Sequence, residues 1–217
     1  MTFAEENYLK AIFHLESQST DGVSTNALAE EMQTKASSAT DMIKKLAEKN
    51  LLSYVPYQGV TLSKTGRASA IKVVRKHRLW EVFLLEKLHF SWDEVHDIAE
   101  QLEHIKSEKL TNKLEEFLDF PKVDPHGDPI PDKEGNFDRV KKICVADAKV
   151  GSTYVCVGVN DSSSHFLKYL DGNKISLGTT IKILHKESFD NSVKIEFDDV
   201  QLVVSENVAK NLFLSEA

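Results

Sequence analysis

Apolar residues recur at helical spacing from the start of the chain. Tyr8, Leu9, Ile12, Phe13 and Leu15 follow Thr2 and Glu5, whose separation is that of a capping box, and they predict a helix over residues 3–17. Gly22 interrupts the pattern. Ser24 or Thr25 can then cap a short helix carrying Ala27, Leu28, Ala29 and Met32. After a tight turn near residues 33–36, a third helix presents Ala39, Met42, Ile43, Leu46 and Ala47 as its buried stripe, with Ser37 and Ser38 at its start and Asn50 as its stop. Residues 51–55 and 60–62, separated by a turn at 56–59, read as a hairpin. Helix, helix-turn-helix and hairpin in that order make a winged helix, which places the second motif helix in the major groove of DNA.

A longer helical pattern starts at Thr65 and runs through Ile71, Val74, Leu79, Val82, Phe83 and Leu85, and helices over 92–105 and 107–118 follow. Their apolar positions exceed what a winged helix buries alone, so two copies are expected to pack as a homodimer. Four of the five prolines lie between Pro121 and Pro131, a density that excludes a long helix or central strand and predicts a linker or an ordered extended arm. Beyond it, β-rich runs at 154–159, 180–184, 193–197 and 201–204 alternate with turns at Gly151, Gly172 and Gly178, predicting a small barrel. The expected fold is mainly α with a small β domain: an N-terminal winged helix-turn-helix over 1–73, a helical dimerisation domain over 74–120, a proline-rich linker over 121–147 and a C-terminal β-barrel over 148–217.

At 217 residues, 41% apolar and 28% charged, the chain has an ordinary globular composition, and no apolar run approaches bilayer length. The acidic start MTFAEENYLK lacks a basic, apolar leader, so a cytoplasmic protein without membrane partners is expected. Cys144 and Cys156 sit in apolar-rich segments and read as reduced core thiols. Charge changes the picture more. The total of −7 hides a first 78 residues with 11 basic and 8 acidic side chains, and between residues 44 and 78 nine basic residues face only Glu48. A basic module ahead of an acidic body suggests a polyanion-binding surface. On the winged-helix reading, Lys35, Ser37, Ser38, Thr40, Asp41 and Lys44 face the groove, while Lys45, Lys64 and Arg67 are placed for phosphate. Each also has a plainer reading. Ser37 or Ser38 caps, Asp41 favours the helix N-terminus, and a surface lysine is simply solvated.

The strongest chemical signal is histidine. Four of eight histidines, His77, His89, His96 and His104, fall within 28 residues, and all but His89 have a glutamate four residues away. His77 and Glu81 are four apart. His96, Glu100, Glu103 and His104 fall within an arc of roughly 100° on one helix, with Val95, Ile98, Leu102 and Ile105 opposite. Imidazole and carboxylate without thiolate suit Mn²⁺, Fe²⁺ or Zn²⁺. The plainer reading is a solvated polar face. The spacing is not HExxH, which argues against a zinc protease.

These residues resemble the DtxR/MntR family of metal-dependent transcriptional repressors, in its long form with a C-terminal SH3-like (FeoA-type) domain. The resemblance rests on Arg75-Lys76-His77-Arg78-Leu79-Trp80-Glu81, Glu94-Val95-His96-Asp97, Glu100-Gln101-Leu102-Glu103-His104, the early Glu6-Asn7-Tyr8-Leu9 and the arm Phe120-Pro121-Lys122-Val123-Asp124-Pro125-His126-Gly127. It implies a metal-binding role for the helical domain and two metal sites per protomer. The primary site would comprise Glu100, Glu103, His104 and Asn7, where relatives usually carry Asp or Met. The ancillary site would comprise His77, Glu81 and His96, joined by Asp124, His126 and Asp161 as in a manganese-responsive branch that commonly has Cys at the position of Asp124. In short manganese sensors the position of Lys10 is itself a carboxylate ligand, so their binuclear arrangement is not expected here.

The implied function is repression of metal-homeostasis genes through double-stranded operator DNA, with no catalytic residue and no small-molecule substrate. Mutually repelling Glu81, Glu100 and Glu103 would be neutralised by a divalent ion that links the first helix to the dimer core and fixes the recognition helices. Glu100 stands where iron-responsive relatives carry Cys, which favours manganese, with iron close behind and cobalt or zinc acting in vitro. Two other readings stay open. One is a metal-independent winged-helix regulator; the other is a metal-dependent hydrolase with Glu103 as general base.

Overall fold

The computed structural model describes residues 1–17, 22–55, 59–137, 141–160 and 163–216. They fall into two compact units. The first comprises Met1–His77, Glu100–Asn112 and Pro131–Asn136, and the second Arg78–Ala99, Lys113–Ile130 and Phe137–Ala217.

In the first unit, α1 (Phe3–Glu16) opens on the expected capping box, with Thr2 and Glu5 satisfying each other's backbone N–H. Ser24 caps α2 (Thr25–Glu31) by accepting from Ala27 N. The third helix, α3 (Ala36–Glu48), begins behind Lys35 with no side-chain cap, so neither Ser37 nor Ser38 serves as its N-cap. Asn50, at φ 56°, turns the chain out of α3 in the left-handed conformation that asparagine tolerates. Strands β1 (Leu52–Val55) and β2 (Gly59–Leu62) pair antiparallel, and Val23 adds a bridge to Val60. Of the expected turn at 56–59, residues 56–58 lie outside the described residues. Leu9, Ile12, Leu28, Ile43 and Leu46 are fully buried together, each contributing roughly 1.5–3 kcal/mol. At Gly66, near the start of α4 (Lys64–Leu88), a Cβ would lie 1.9 Å from the Leu51 carbonyl oxygen, so only glycine lets the helix leave so close to the hairpin.

The second unit has two apolar clusters. Leu79 and Val82 of α4 pack with Leu114 of α6 (Glu108–Phe117), Leu118 and Ile130. The larger cluster fills a six-stranded sheet in the order β3-β8-β4-β5-β6-β7, with antiparallel pairings. Its strands are β3 (Ile143–Cys144), β4 (Thr153–Val159), β5 (Thr180–Lys186), β6 (Val193–Phe197), β7 (Val200–Val204) and β8 (Leu212–Glu216). Val193, Ile195 and Phe197 alternate inward along β6. Two helices absent from the sequence reading cover this sheet's chain connections: α7 (Ser164–Gly172), capped by Ser163, and α8 (Glu206–Asn211), capped by Ser205. Both are short, and only capping serines mark their starts.

Two expectations are corrected. The helix expected over 92–105 is α5 (Val95–Leu102), which ends before Glu103 and His104, so these two occupy the following turn rather than a continuous helical stripe. The burial pattern is also reversed there: Glu103 and His104 are buried, whereas Ile105, expected on the packed side, is 37% exposed. The proline-rich segment proves to be an ordered arm. Val123 bridges Pro129, and the Asp124 carboxylate accepts from the backbone N–H of His126 and Asp128, each at 2.9 Å. Among the described residues, no helix is long and apolar enough to cross a membrane.

Candidate metal centre and DNA-facing helix

Helix α1 sets Glu6, Asn7 and Lys10 on one face, because residues three and four apart are neighbours on a helix. Opposite them stand His77 of α4 and the Glu103–His104 turn. His104 Nδ1 donates to Glu6 Oε2 at 2.7 Å, and its ring stacks on Phe3 at a centroid distance of 4.4 Å. The carboxylate holds the proton on Nδ1 and leaves Nε2 as a lone-pair donor, the arrangement usual for a metal-ligating histidine. Glu103 has no solvent exposure. Its Oε2 accepts from Lys10 Nζ at 2.8 Å and His77 Nδ1 at 2.6 Å, while Oε1 lies 3.9 Å from His104 Nε2. Burial resists ionisation of Glu103, but the His77 hydrogen bond and the Lys10 charge outweigh it and hold the carboxyl below its ordinary range.

Two buried oxygens of these residues have no hydrogen-bond partner among the described residues: Glu103 Oε1, and Asn7 Oδ1 on α1. Buried polar atoms are nearly always paired, and a bare carboxylate oxygen 3.9 Å from an imidazole nitrogen is chemistry that a cation would fit. An oxygen, oxygen and nitrogen donor set fits manganese or iron(II). Glu100 stands at the rim, its side chain 46% exposed and its Oε1 3.2 Å from Lys10 Nζ.

The second unit holds another cluster. Ligand atoms of Glu81, Asp124 and His126 lie within 4.8 Å of one another, and all three residues are buried. His96 Nδ1 is 3.3 Å from Glu81 Oε1. Asp124 is pushed up to about 7 by burial and by the Glu81 charge, against the pull of Arg78, whose Nε lies 3.3 Å from its Oδ2. Burial disfavours the cationic form of His126, but the hydrogen bond and charge of Glu81, with Asp124 and the Trp92 carbonyl, raise its pKa overall. The backbone here is pinned to the sheet. Val159 N donates to the His126 carbonyl at 2.9 Å, and at Gly127, φ 83°, a Cβ would meet the Val157 carbonyl at 2.0 Å. Asp161 lies outside the described residues. His77, expected with Glu81, stands one turn before it on α4 and also hydrogen-bonds Glu103.

On α3, Lys35, Ser37, Ser38, Asp41 and Lys44 are exposed and Thr40 is half-buried, its hydroxyl donating to the Ala36 carbonyl. Lys64 is exposed too. The remaining phosphate candidates are engaged within the unit. Lys45 Nζ is 2.9 Å from Glu5 Oε1, which Lys49 also approaches at 2.7 Å, and these lysines, Lys49 foremost, bring the Glu5 pKa down to about 2. Arg67 pairs with Glu16 and lies 5.7 Å over the Phe13 ring.

Three family models match successive parts of the chain: the iron dependent repressor N-terminal DNA binding domain at residues 1–60, the metal binding and dimerisation domain at 63–132, and the FeoA domain at 143–216. A solved manganese-dependent transcriptional repressor in complex with manganese is 34% identical, with 98% of this chain and 100% of that one superposing at a TM-score of 0.91. The chain belongs to the iron-dependent repressor family. Members of this family are DNA-binding transcriptional repressors rather than enzymes, and the present chain has the C-terminal FeoA domain of the long form. ScaR with bound Zn²⁺ is 31% identical to it over 98% of this chain and 99% of that one, at a TM-score of 0.81. The iron-dependent repressor IdeR of Mycobacterium leprae is 32% identical over 126 residues, 58% of this chain and 54% of IdeR. The chain thus spans about half the length of this and the other IdeR relatives it matches.

Four residues of this chain escaped the sequence reading as contributors to its candidate sites: Glu5, Glu6, Lys10 and Arg78. For Glu6 and Lys10 a signal existed, since with Asn7 they form a polar face at i, i+1 and i+4 on an otherwise apolar helix. Nothing local announces that Arg78 meets an aspartate 46 residues later, or that Glu5 meets α3.

Proposed function

We propose that this chain is a divalent-metal-dependent repressor that binds double-stranded operator DNA as a homodimer in the cytoplasm and controls manganese or iron homeostasis. The observation that carries the reading is the bare, buried Glu103 Oε1, 3.9 Å from the Nε2 of a histidine oriented by Glu6. Glu103, His104 and Asn7 would hold the primary ion, with Glu100 at the rim; Glu81, Asp124 and His126, with His96, would hold a second, to which His77 and Asp161 are further candidates. A bound ion supplies positive charge and a link between α1 and the turn that follows α5. Within the chain, Glu6 orients His104, and Glu5 ties the first turn of α1 to α3 through Lys45 and Lys49. Ordering of α1 therefore bears directly on the helix that presents Lys35, Ser37, Ser38, Thr40, Asp41 and Lys44 to the groove, with Lys64 reaching phosphate. Exposed Leu88, Phe117 and Phe120 supply apolar surface for the second copy.

Oxygen-rich donors favour manganese over softer ions, with iron(II) next and cobalt or zinc as in vitro activators. The test is operator binding titrated anaerobically at buffered free ion concentration. Manganese is expected to give half-maximal activation within its cellular range; activation by iron(II) alone would overturn the choice of ion. DNA binding indifferent to every divalent ion would establish the metal-independent regulator instead.

A further inference from the structure

Lys10 Nζ is 2.8 Å from Glu103 Oε2 and 3.2 Å from Glu100 Oε1, and its side chain is 13% exposed. An ammonium group is strongly hydrated, and its removal from water is tolerated only against an opposing charge. The Glu103 carboxylate is thereby divided. One oxygen is held by Lys10 and His77, and the other is buried and bare. We propose that Lys10 is a tethered cation of this centre, which holds the metal-free site together and sets the concentration at which a metal enters.

The inference rests on the metal-centre reading and adds a direction to it. Without metal, an acidic cluster is expected to spring apart by like-charge repulsion. Here the Lys10 ammonium neutralises Glu103 and bridges it to Glu100, which opposes that repulsion. When a dication reaches Glu103 Oε1, the same ammonium stands on the far oxygen of that carboxylate, drawing its charge and repelling the newcomer. One side chain therefore stabilises the empty centre and weakens the loaded one. Lys76, also partly buried, lies within electrostatic range of Glu103 and Glu6, but it donates to the Ile105 carbonyl at 3.4 Å. It adds positive potential without occupying a carboxylate oxygen.

The experiment is isothermal titration of the chelator-treated full chain with Mn²⁺, paired with urea unfolding of the metal-free protein. The variants are Lys10→Met, Lys10→Gln and Lys10→Arg. Either neutral variant is expected to bind Mn²⁺ at least about tenfold more tightly at this centre and to unfold at lower urea when metal-free. Lys10→Arg, which keeps the charge, stays near wild type in both. The tightening persists in a His126→Ala background, because His126 belongs to the other cluster. A purely structural lysine gives the loss of stability without the gain in affinity. Unchanged or weaker Mn²⁺ binding by both neutral variants, where the wild type does bind, overturns the role of Lys10 and leaves the metal centre standing. No Mn²⁺ uptake by the wild type overturns the centre and this inference together.

Discussion

Glu6 Oε2 accepts the Nδ1 proton of His104 at 2.7 Å across 98 residues of sequence, and both side chains are buried. The carboxylate fixes which ring nitrogen faces the Glu103 side and ties α1 to the turn that supplies two candidate ligands. Loss of an outer carboxylate of this kind usually weakens metal binding by about 10–100-fold. Glu6→Ala is expected to fall in that range by calorimetry, with wild-type circular dichroism; an unaltered Kd would remove Glu6 from the centre.

Glu103→Gln preserves shape but removes the charge shared by Lys10, His77 and the bare Oε1, and His104→Ala removes the nitrogen donor. Each should abolish metal-stimulated operator binding at metal concentrations on the order of 100-fold above the wild-type midpoint. If both variants still respond at the wild-type midpoint, the centre lies elsewhere. Glu81→Ala and His126→Ala are expected to shift the midpoint less, since both belong to the second unit's cluster.

Lys44 and Lys45 are neighbours on α3 with different surroundings. Lys44 is exposed, whereas Lys45 is paired with buried Glu5. Lys44→Ala should weaken operator binding and reduce the slope of log K against log salt by about one. Lys45→Ala should leave that slope nearly unchanged. Gel shifts over a salt series separate the two, and equal slope changes would contradict the pairing.

The Cys156 thiol is pushed up from 9.0 to about 11 by burial in the sheet core. It should resist a thiol-reactive disulfide at pH 8 in the folded protein and react once the chain is unfolded. The linkage follows the same sign: folded protein keeps this proton longer than unfolded chain. The stabilisation is whole below about pH 9, declines above it and is gone by about pH 11, which urea midpoints measured in a Cys156→Ala comparison would show.

The winged helix was legible because its signals are local. A capping box, a cap at Ser24 or Thr25 and the stop at Asn50 each act within one turn of chain; the box and the stop stand where the sequence placed them, and Ser24 is the cap of the two offered. The sheet strands over 154–197 followed from alternation for the same reason. The hidden parts depend on distance in sequence. Helix α5 ends one residue before Glu103, and periodicity alone cannot see that stop when Glu, His and Ile continue a helical pattern. Helices α7 and α8 span 9 and 6 residues, too short for a periodic signal to rise above the surrounding strands. The candidate ligands were readable as residue types, whereas the groups that orient or neutralise them, Glu6, Lys10 and Arg78, are defined by contacts between distant segments.

The chain has two tryptophans. Trp80 packs edge-on to Phe83, but the Trp92 indole lies near-parallel to the His126 ring at a centroid distance of 6.4 Å, and its carbonyl oxygen is 3.1 Å from His126 Nε2. Any change in the charge or ligation of that imidazole alters the field across the indole. The Glu81 cluster thus comes with its own fluorophore, while the first unit, with Glu103 and His104, contains no tryptophan. Emission from the unlabelled protein should follow filling of the Glu81 centre, so its occupancy can be followed by light.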